Sequence, residues 1–116
     1  MGHLNQQLVE IVKEFSKNLL SQYHPEKIIL YGSLASGNIR ETSDIDLLII
    51  KDTKENFYDR IQKVLPCLPK AWVGIDYLIY TPQELEFEAQ HNPFVREEIL
   101  KKGKILYDAS TGTLAI

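Results

Sequence analysis

One stretch of the sequence, DIDLLII at residues 44–50, constrains the fold more than any other. Four consecutive aliphatic residues, two of them isoleucine, predict a buried β-strand over this range. Side chains alternate along a strand, so Asp44 and Asp46 share one face, about 7 Å apart, and Ile45 lies on the opposite face. Two carboxylates on one face of a buried strand repel each other. This strand must therefore carry them to a place where cations or protons compensate their charge.

The other apolar patterns predict an alternation of helices and strands around this one. Helical spacing, capping residues and prolines predict helices over residues 4–23 and 53–65, and two more that start near residues 82 and 93. Short apolar runs predict strands over residues 27–31, 72–80 and 104–107, and a flexible tail is expected over 109–116. We expect an α/β (α+β) fold, a small mixed sheet of about four strands flanked by helices.

Length and composition are those of one soluble domain spanning residues 1–116, of which 44% are apolar and 25% charged. The sequence contains neither a membrane-spanning apolar run nor the apolar core of a signal peptide. Its one cysteine, Cys67, excludes an internal disulfide, fits a reducing cytoplasm and is expected to fill the core. A net charge of −3 without a Lys/Arg cluster argues against an extensive nucleic-acid surface.

A third carboxylate, Asp76, lies within the strand predicted over residues 72–80. If this strand is a neighbour of the one over residues 44–50, Asp44, Asp46 and Asp76 converge on one patch. Oxygen ligands of this kind suit a hard cation such as Mg²⁺. A paired-carboxylate hydrolase and solvated aspartates remain alternatives at this point.

Gly32 and Ser33 follow the strand predicted over residues 27–31. Glycine lets a backbone approach a phosphate closely, and a serine hydroxyl can donate to its oxygens. Gly37 would keep the same loop tight. Taken alone, a Gly-Ser pair after a strand more commonly indicates an ordinary turn.

The spacing of these residues resembles a known signature. Gly32-Ser33, followed ten residues later by Asp44-X-Asp46 and a hydrophobic strand, resembles the nucleotidyltransferase superfamily that includes DNA polymerase beta. The fuller stretches, YGSLASG at residues 31–37 and SDIDL at 43–47, resemble the minimal nucleotidyltransferases, the MNT family. The resemblance extends from about residue 27 to residue 108 and implies a polymerase-beta-like nucleotidyltransferase fold.

The resemblance also implies a role for each motif residue. Gly32 and Ser33 would grip the triphosphate of ATP, while Asp44 and Asp46 would ligate two Mg²⁺ ions. Asp76 would bind the catalytic metal and help to deprotonate the acceptor hydroxyl. Such a metal pair clamps the attacking and leaving oxygens of an in-line displacement.

The chain departs from the family pattern in the glycine-rich loop. Many relatives have arginines at the positions of Leu34 and Ser36, and an aspartate at that of Asn38. Arg40 is the remaining cation of this loop, and we assign it with Gly37 to nucleotide binding.

Members of the MNT family often act with a HEPN-domain partner. The resemblance therefore implies a cytoplasmic antitoxin that transfers AMP from ATP to a tyrosine hydroxyl of a HEPN toxin. A small-molecule nucleotidyltransferase of the aminoglycoside type is an alternative, although such enzymes generally carry an additional helical domain. A binding module that neutralises its partner by contact is another. Helical spacing predicts core positions for Phe87, Phe94 and Val95 rather than a partner interface, and no role follows for His3, His24 or His91.

Overall fold

The computed structural model describes residues 2–37 and 44–116, with side chains of the first helix described from Gln6 onward. The helices are α1 (Gly2–Gln22), α2 (Gly32–Ser36), α3 (Phe57–Val64, continued by a 3-10 turn at Leu65–Cys67), α4 (Pro82–His91) and α5 (Phe94–Lys101, with π-type hydrogen bonds). The strands are β1 (Lys27–Tyr31), β2 (Ile45–Ile50), β3 (Ile75–Tyr80), β4 (Lys104–Asp108) and β5 (Thr113–Leu114). The predicted combination of helices and a mixed sheet is confirmed.

The sheet has the strand order β3-β2-β1-β4-β5. β2 and β3 run parallel, whereas β1 is antiparallel to both β2 and β4. The end of the chain differs from the expected flexible tail, because β5 pairs with β4 and the Ala115 N–H donates to the Leu106 carbonyl. A strand of two residues is too short to leave a periodic signal in the sequence.

Helices cover both faces of the sheet, which explains why β2 is aliphatic without interruption. On one face, Leu47 and Ile49 pack with Phe15 and Leu19 of α1. On the other face, Leu48 and Ile50 pack with side chains of α5. Cys67 is buried in the first of these two clusters, which confirms it as a core residue. In the described part of the chain, no helix is both long and apolar enough to cross a membrane.

The helical spacing was right for Val95 and wrong for two phenylalanines. Val95 is buried, whereas Phe87 and Phe94 are 58% and 50% exposed. Phe87 stacks on His91 along the outer side of α4. Phe94 lies at the start of α5, where its ring meets the Tyr31 ring edge to face at 6.0 Å. Each of these two rings packs against one aromatic side chain and is not enclosed by the core.

A buried arginine joins α3, β3 and α4. Arg60 is 5% exposed, and its guanidinium donates to both carboxylate oxygens of Glu84 at 2.6 and 3.2 Å. It also donates to the backbone carbonyls of Glu55 and Ile79. Glu84 in turn completes the capping box with Thr81 that starts α4, as the sequence predicts.

Candidate active site

Three residues form a row across the end of the sheet where β1 ends and β2 begins. Tyr31 pairs with Asp46, and Asp46 pairs with Asp76. Residues paired in register on adjacent strands project to the same face, and such strands lie about 4.8 Å apart. The structure thus brings Asp46 and Asp76 together as neighbours, because β2 and β3 are adjacent and parallel.

Asp44 lies one residue before β2 and is exposed. Its carboxylate lies over Gly74, where a Cβ atom would come within 2.8 Å of Asp44 Oδ1. The Ile45 N–H donates to the Gly74 carbonyl at 2.9 Å, which fixes the two backbones together. Gly74 therefore provides the space that the Asp44 carboxylate occupies. The sequence interpretation missed this residue; its signal was a glycine two residues before the third aspartate.

Gly32 follows β1 with a φ of +76°, a conformation that favours glycine. A Cβ atom at this position would overlap Asp46 Oδ2 and lie 3.3 Å from Asp46 Cγ. The bare backbone of Gly32 thus leaves room for the Asp46 carboxylate. Ser33, half-buried, is the next residue of α2, directly beside this contact.

In the described part of the chain, the other predicted residues of the glycine-rich loop lie in α2 and at its end. Gly37 ends α2 with a φ of +80°, and its N–H donates to the Ser33 carbonyl. A Cβ atom at Gly37 would meet nothing within 4 Å, so this glycine serves the turn rather than a close approach. Leu34 is buried in the core and Ser36 donates to the Ser33 carbonyl. Arg40 lies outside the described residues.

Among the described residues, no cation compensates the negative charge of the carboxylate row. Burial, and then the charges of Asp76 and Asp44, raise the pKa of Asp46 to about 6. Burial, and then the charges of Asp46 and Asp76, raise the pKa of the Tyr31 phenol to about 12. Within residues 6–37 and 44–116, no lysine, arginine or histidine forms an ion pair with these carboxylates. The site thus favours a cation.

The donor set fits a hard divalent cation, although the described residues do not contain a complete ligand cluster. Over the described ranges, no three His, Cys, Asp or Glu side chains form a group that could hold a metal ion. The structure instead supplies the Asp46–Asp76 pair, with Asp44 beside it over Gly74. These carboxylate oxygens are the ligands that Mg²⁺ prefers. When bound, such a cation would polarise a phosphoryl oxygen and neutralise developing charge.

The raised pKa of Asp46 predicts how stability depends on pH without metal. Between about pH 4 and pH 6, Asp46 keeps its proton in the folded protein but loses it in the unfolded chain. The free energy of unfolding therefore falls as pH rises through that range. With EDTA at about pH 7.5, Asp46→Asn should raise the free energy of unfolding by about 1–2 kcal/mol, after allowance for solvent screening. The difference in free energy of unfolding between the two proteins should vanish below about pH 4. Urea unfolding of both proteins across this range measures it, and a variant less stable than wild type at neutral pH would contradict the electrostatic account.

Comparison with known proteins identifies the family. The family model described as polymerase beta, nucleotidyltransferase, matches residues 13–112. Two proteins of Methanocaldococcus jannaschii, each named "putative protein adenylyltransferase", are similar to this chain. One is 36% identical over 98 residues, which cover 83% of this chain and 94% of the relative. The other is 30% identical over 95 residues, which cover 80% and 88%.

A solved structure shares the fold. The crystal structure of a "putative nucleotidyltransferase" from Sulfolobus solfataricus superimposes with a TM-score of 0.61 over 98% of this chain and 88% of that one, at 22% identity. The family match covers α1 from residue 13, the glycine-rich turn and the carboxylate row. The chain therefore belongs to the polymerase beta nucleotidyltransferase family, and it is a nucleotidyltransferase.

Proposed function

We propose that this enzyme is a Mg²⁺-dependent protein adenylyltransferase. It transfers AMP from ATP to a tyrosine hydroxyl of a cognate HEPN toxin in the cytoplasm, and so acts as the antitoxin. The row of Asp46 and Asp76 beside Gly32 is the observation that carries the proposal. The names of the archaeal relatives support a protein as the acceptor. The resemblance to the MNT family supports the HEPN partner.

The reaction joins an acceptor oxygen to the α-phosphorus of ATP. The bond between that phosphorus and the oxygen bridging to the β-phosphate breaks, and pyrophosphate leaves. Gly32 and Ser33 hold the triphosphate at the end of β1. Asp44, Asp46 and Asp76 would hold the Mg²⁺ ions, and Asp76 accepts the hydroxyl proton. Positioning and charge neutralisation supply most of the rate in such a displacement.

Label transfer tests this function. The protein is incubated with Mg²⁺, ATP labelled at the α-phosphate, and the product of the neighbouring gene, which we expect to be the HEPN protein. Label on the HEPN protein is the expected result. Label on an aminoglycoside in a parallel reaction, with none on protein, would assign the enzyme to small-molecule transfer. A stable complex without label would show neutralisation by contact.

The contact between Gly32 and Asp46 predicts a large effect of a single methyl group. Gly32→Ala should lower AMP transfer by about 100-fold, because the new Cβ displaces the Asp46 carboxylate. Gly112→Ala is the matched control, since Gly112 also has a positive φ, +70°, but a Cβ atom there would meet nothing within 4 Å. Both variants should lose about 1 kcal/mol of stability from backbone strain, measured by thermal unfolding. Equal transfer rates in the two variants would show that the space at Gly32 has no role in activity.

A further inference from the structure

A groove runs along α1, between this helix and the segment of residues 69–72. It consists of two clefts that share Glu10, Ile11 and Lys70. One cleft extends to Asn18 of α1, and the other extends to Gln6 and to Trp72, the one tryptophan of the sequence. The thirteen helical residues from Gln6 to Asn18 give the groove a length of about 18 Å.

The groove lies on the face of the sheet that α1 covers, opposite the face of Asp46 and Asp76, and it opens at the end of the sheet where these aspartates stand. The Lys51 ammonium, just after β2, donates to the Tyr23 carbonyl at the C-terminal end of α1. The N-terminal half of α1 therefore lies toward the opposite end of β2, where Asp46 stands. Trp72 lies at this same end, two residues before Gly74, and the Asp44 carboxylate lies over that glycine.

The reaction geometry determines the side from which the acceptor enters. In an in-line displacement the attacking and leaving oxygens lie on opposite sides of the phosphorus. The leaving pyrophosphate is held beside Gly32, at the end of β1, and Asp46 lies on the next strand. The attacking hydroxyl must then arrive from the side of β3, at Asp76. β3 is one of the two edge strands of the described sheet, and Trp72 precedes it.

The lining of the groove suits a polypeptide segment. Trp72 is 58% exposed beside the partly exposed Ile11, which offers a hydrophobic anchor point. Lys13, Lys17 and Lys70 outnumber the two glutamates of the groove, Glu10 and Glu14, although the whole chain has a net charge of −3. None of these five forms an ion pair within the described ranges. An acidic segment with one apolar side chain complements this surface.

We propose that this groove docks the segment of the acceptor protein that carries the modified hydroxyl. The segment lies extended along α1, with an apolar side chain on Trp72, and crosses the edge of β3 to bring its hydroxyl to Asp76. A length of about 18 Å accommodates five or six extended residues. The inference rests on the proposed protein adenylyltransferase function, because it requires a protein acceptor.

Kinetics with the HEPN protein as acceptor test the docking site. Trp72→Ala and Lys70→Glu should each raise the KM for the HEPN protein by about tenfold, the effect of losing one interface anchor. The KM for ATP should change by less than about twofold, since neither side chain contacts the nucleotide site. Phe87→Ala is the matched control, because Phe87 is equally exposed, at 58%, but lies on α4. A KM for the HEPN protein that is unchanged in both groove variants would overturn the proposal.

A photo-crosslinking residue at position 72 or 87 separates this inference from the proposed function. Crosslinks from position 72 to the segment that bears the hydroxyl, with none from position 87, are expected. If the wild type transfers label but position 72 gives no crosslink, the docking site is wrong and the adenylyltransferase function stands. If position 72 crosslinks to the HEPN protein without label transfer, the groove binds this partner, but the transfer function and the assignment of the groove to a hydroxyl-bearing segment both fail. If neither label nor crosslink appears, both are overturned.

Discussion

Asp46→Asn should lower AMP transfer by about three orders of magnitude, because it removes a central charge from the site that stabilises the reacting phosphate. Asp46 lies between Tyr31 and Asp76 in the row and against Gly32. An amide of the same shape preserves the packing but binds a divalent cation far less well than a carboxylate. Initial rates of label transfer from ATP measure the loss.

Asp59→Asn is the appropriate control for this substitution. Asp59 is an exposed aspartate of α3 outside the row, and its transfer rate should stay within about twofold of wild type. Because Asp46→Asn should also be more stable than wild type without metal at neutral pH, misfolding would not explain a low rate. A wild-type rate in Asp46→Asn would show that the row is not the reaction centre.

Arg60→Met should lower the free energy of unfolding by about 2–4 kcal/mol, because it removes the buried member of an ion pair whose other side chain, Glu84, is 43% exposed. The substitution leaves Glu84 and the carbonyls of Glu55 and Ile79 without their donor. The same guanidinium holds the pKa of Glu84 below its usual range. Equilibrium urea unfolding at neutral pH measures the loss.

An exposed ion pair provides the matched comparison. Lys63 and Glu55 lie 2.7 Å apart, but the Lys63 side chain is 61% exposed. Lys63→Met should lower the free energy of unfolding by less than about 0.5 kcal/mol, as expected for a solvated ion pair. If Arg60→Met were equally mild, the buried arginine would not join α3, β3 and α4 energetically.

The sequence motif predicted that Gly32 and Asp46 come together, and the structure places the Asp46 carboxylate against the bare backbone of Gly32. Strand alternation correctly placed the aliphatic residues of β2 on two covered faces. It also predicted that Asp76 would join the row if its strand were a neighbour of β2. That condition depends on sheet order, which pairing across the chain determines and local pattern does not.

The residues that sequence reasoning missed act through tertiary contacts. Gly74 matters because the Asp44 carboxylate lies over it, and Arg60 matters because Glu84 lies on another helix. Neither contact leaves a periodic signal. Phe87 and Phe94 followed helical spacing but face outward, because a helix on the surface of a small sheet has limited core to cover.

The position of the transferred phosphate tests the central claim most directly. The wild-type protein, Mg²⁺ and the HEPN protein are incubated in parallel with ATP labelled at the α-phosphate and with ATP labelled at the γ-phosphate. A nucleotidyltransferase leaves the α-label on the acceptor and releases the γ-label in pyrophosphate, and we expect this result. γ-Label on the acceptor would reveal phosphoryl transfer instead, and would contradict the assignment of Gly32, Ser33 and the three aspartates to AMP transfer.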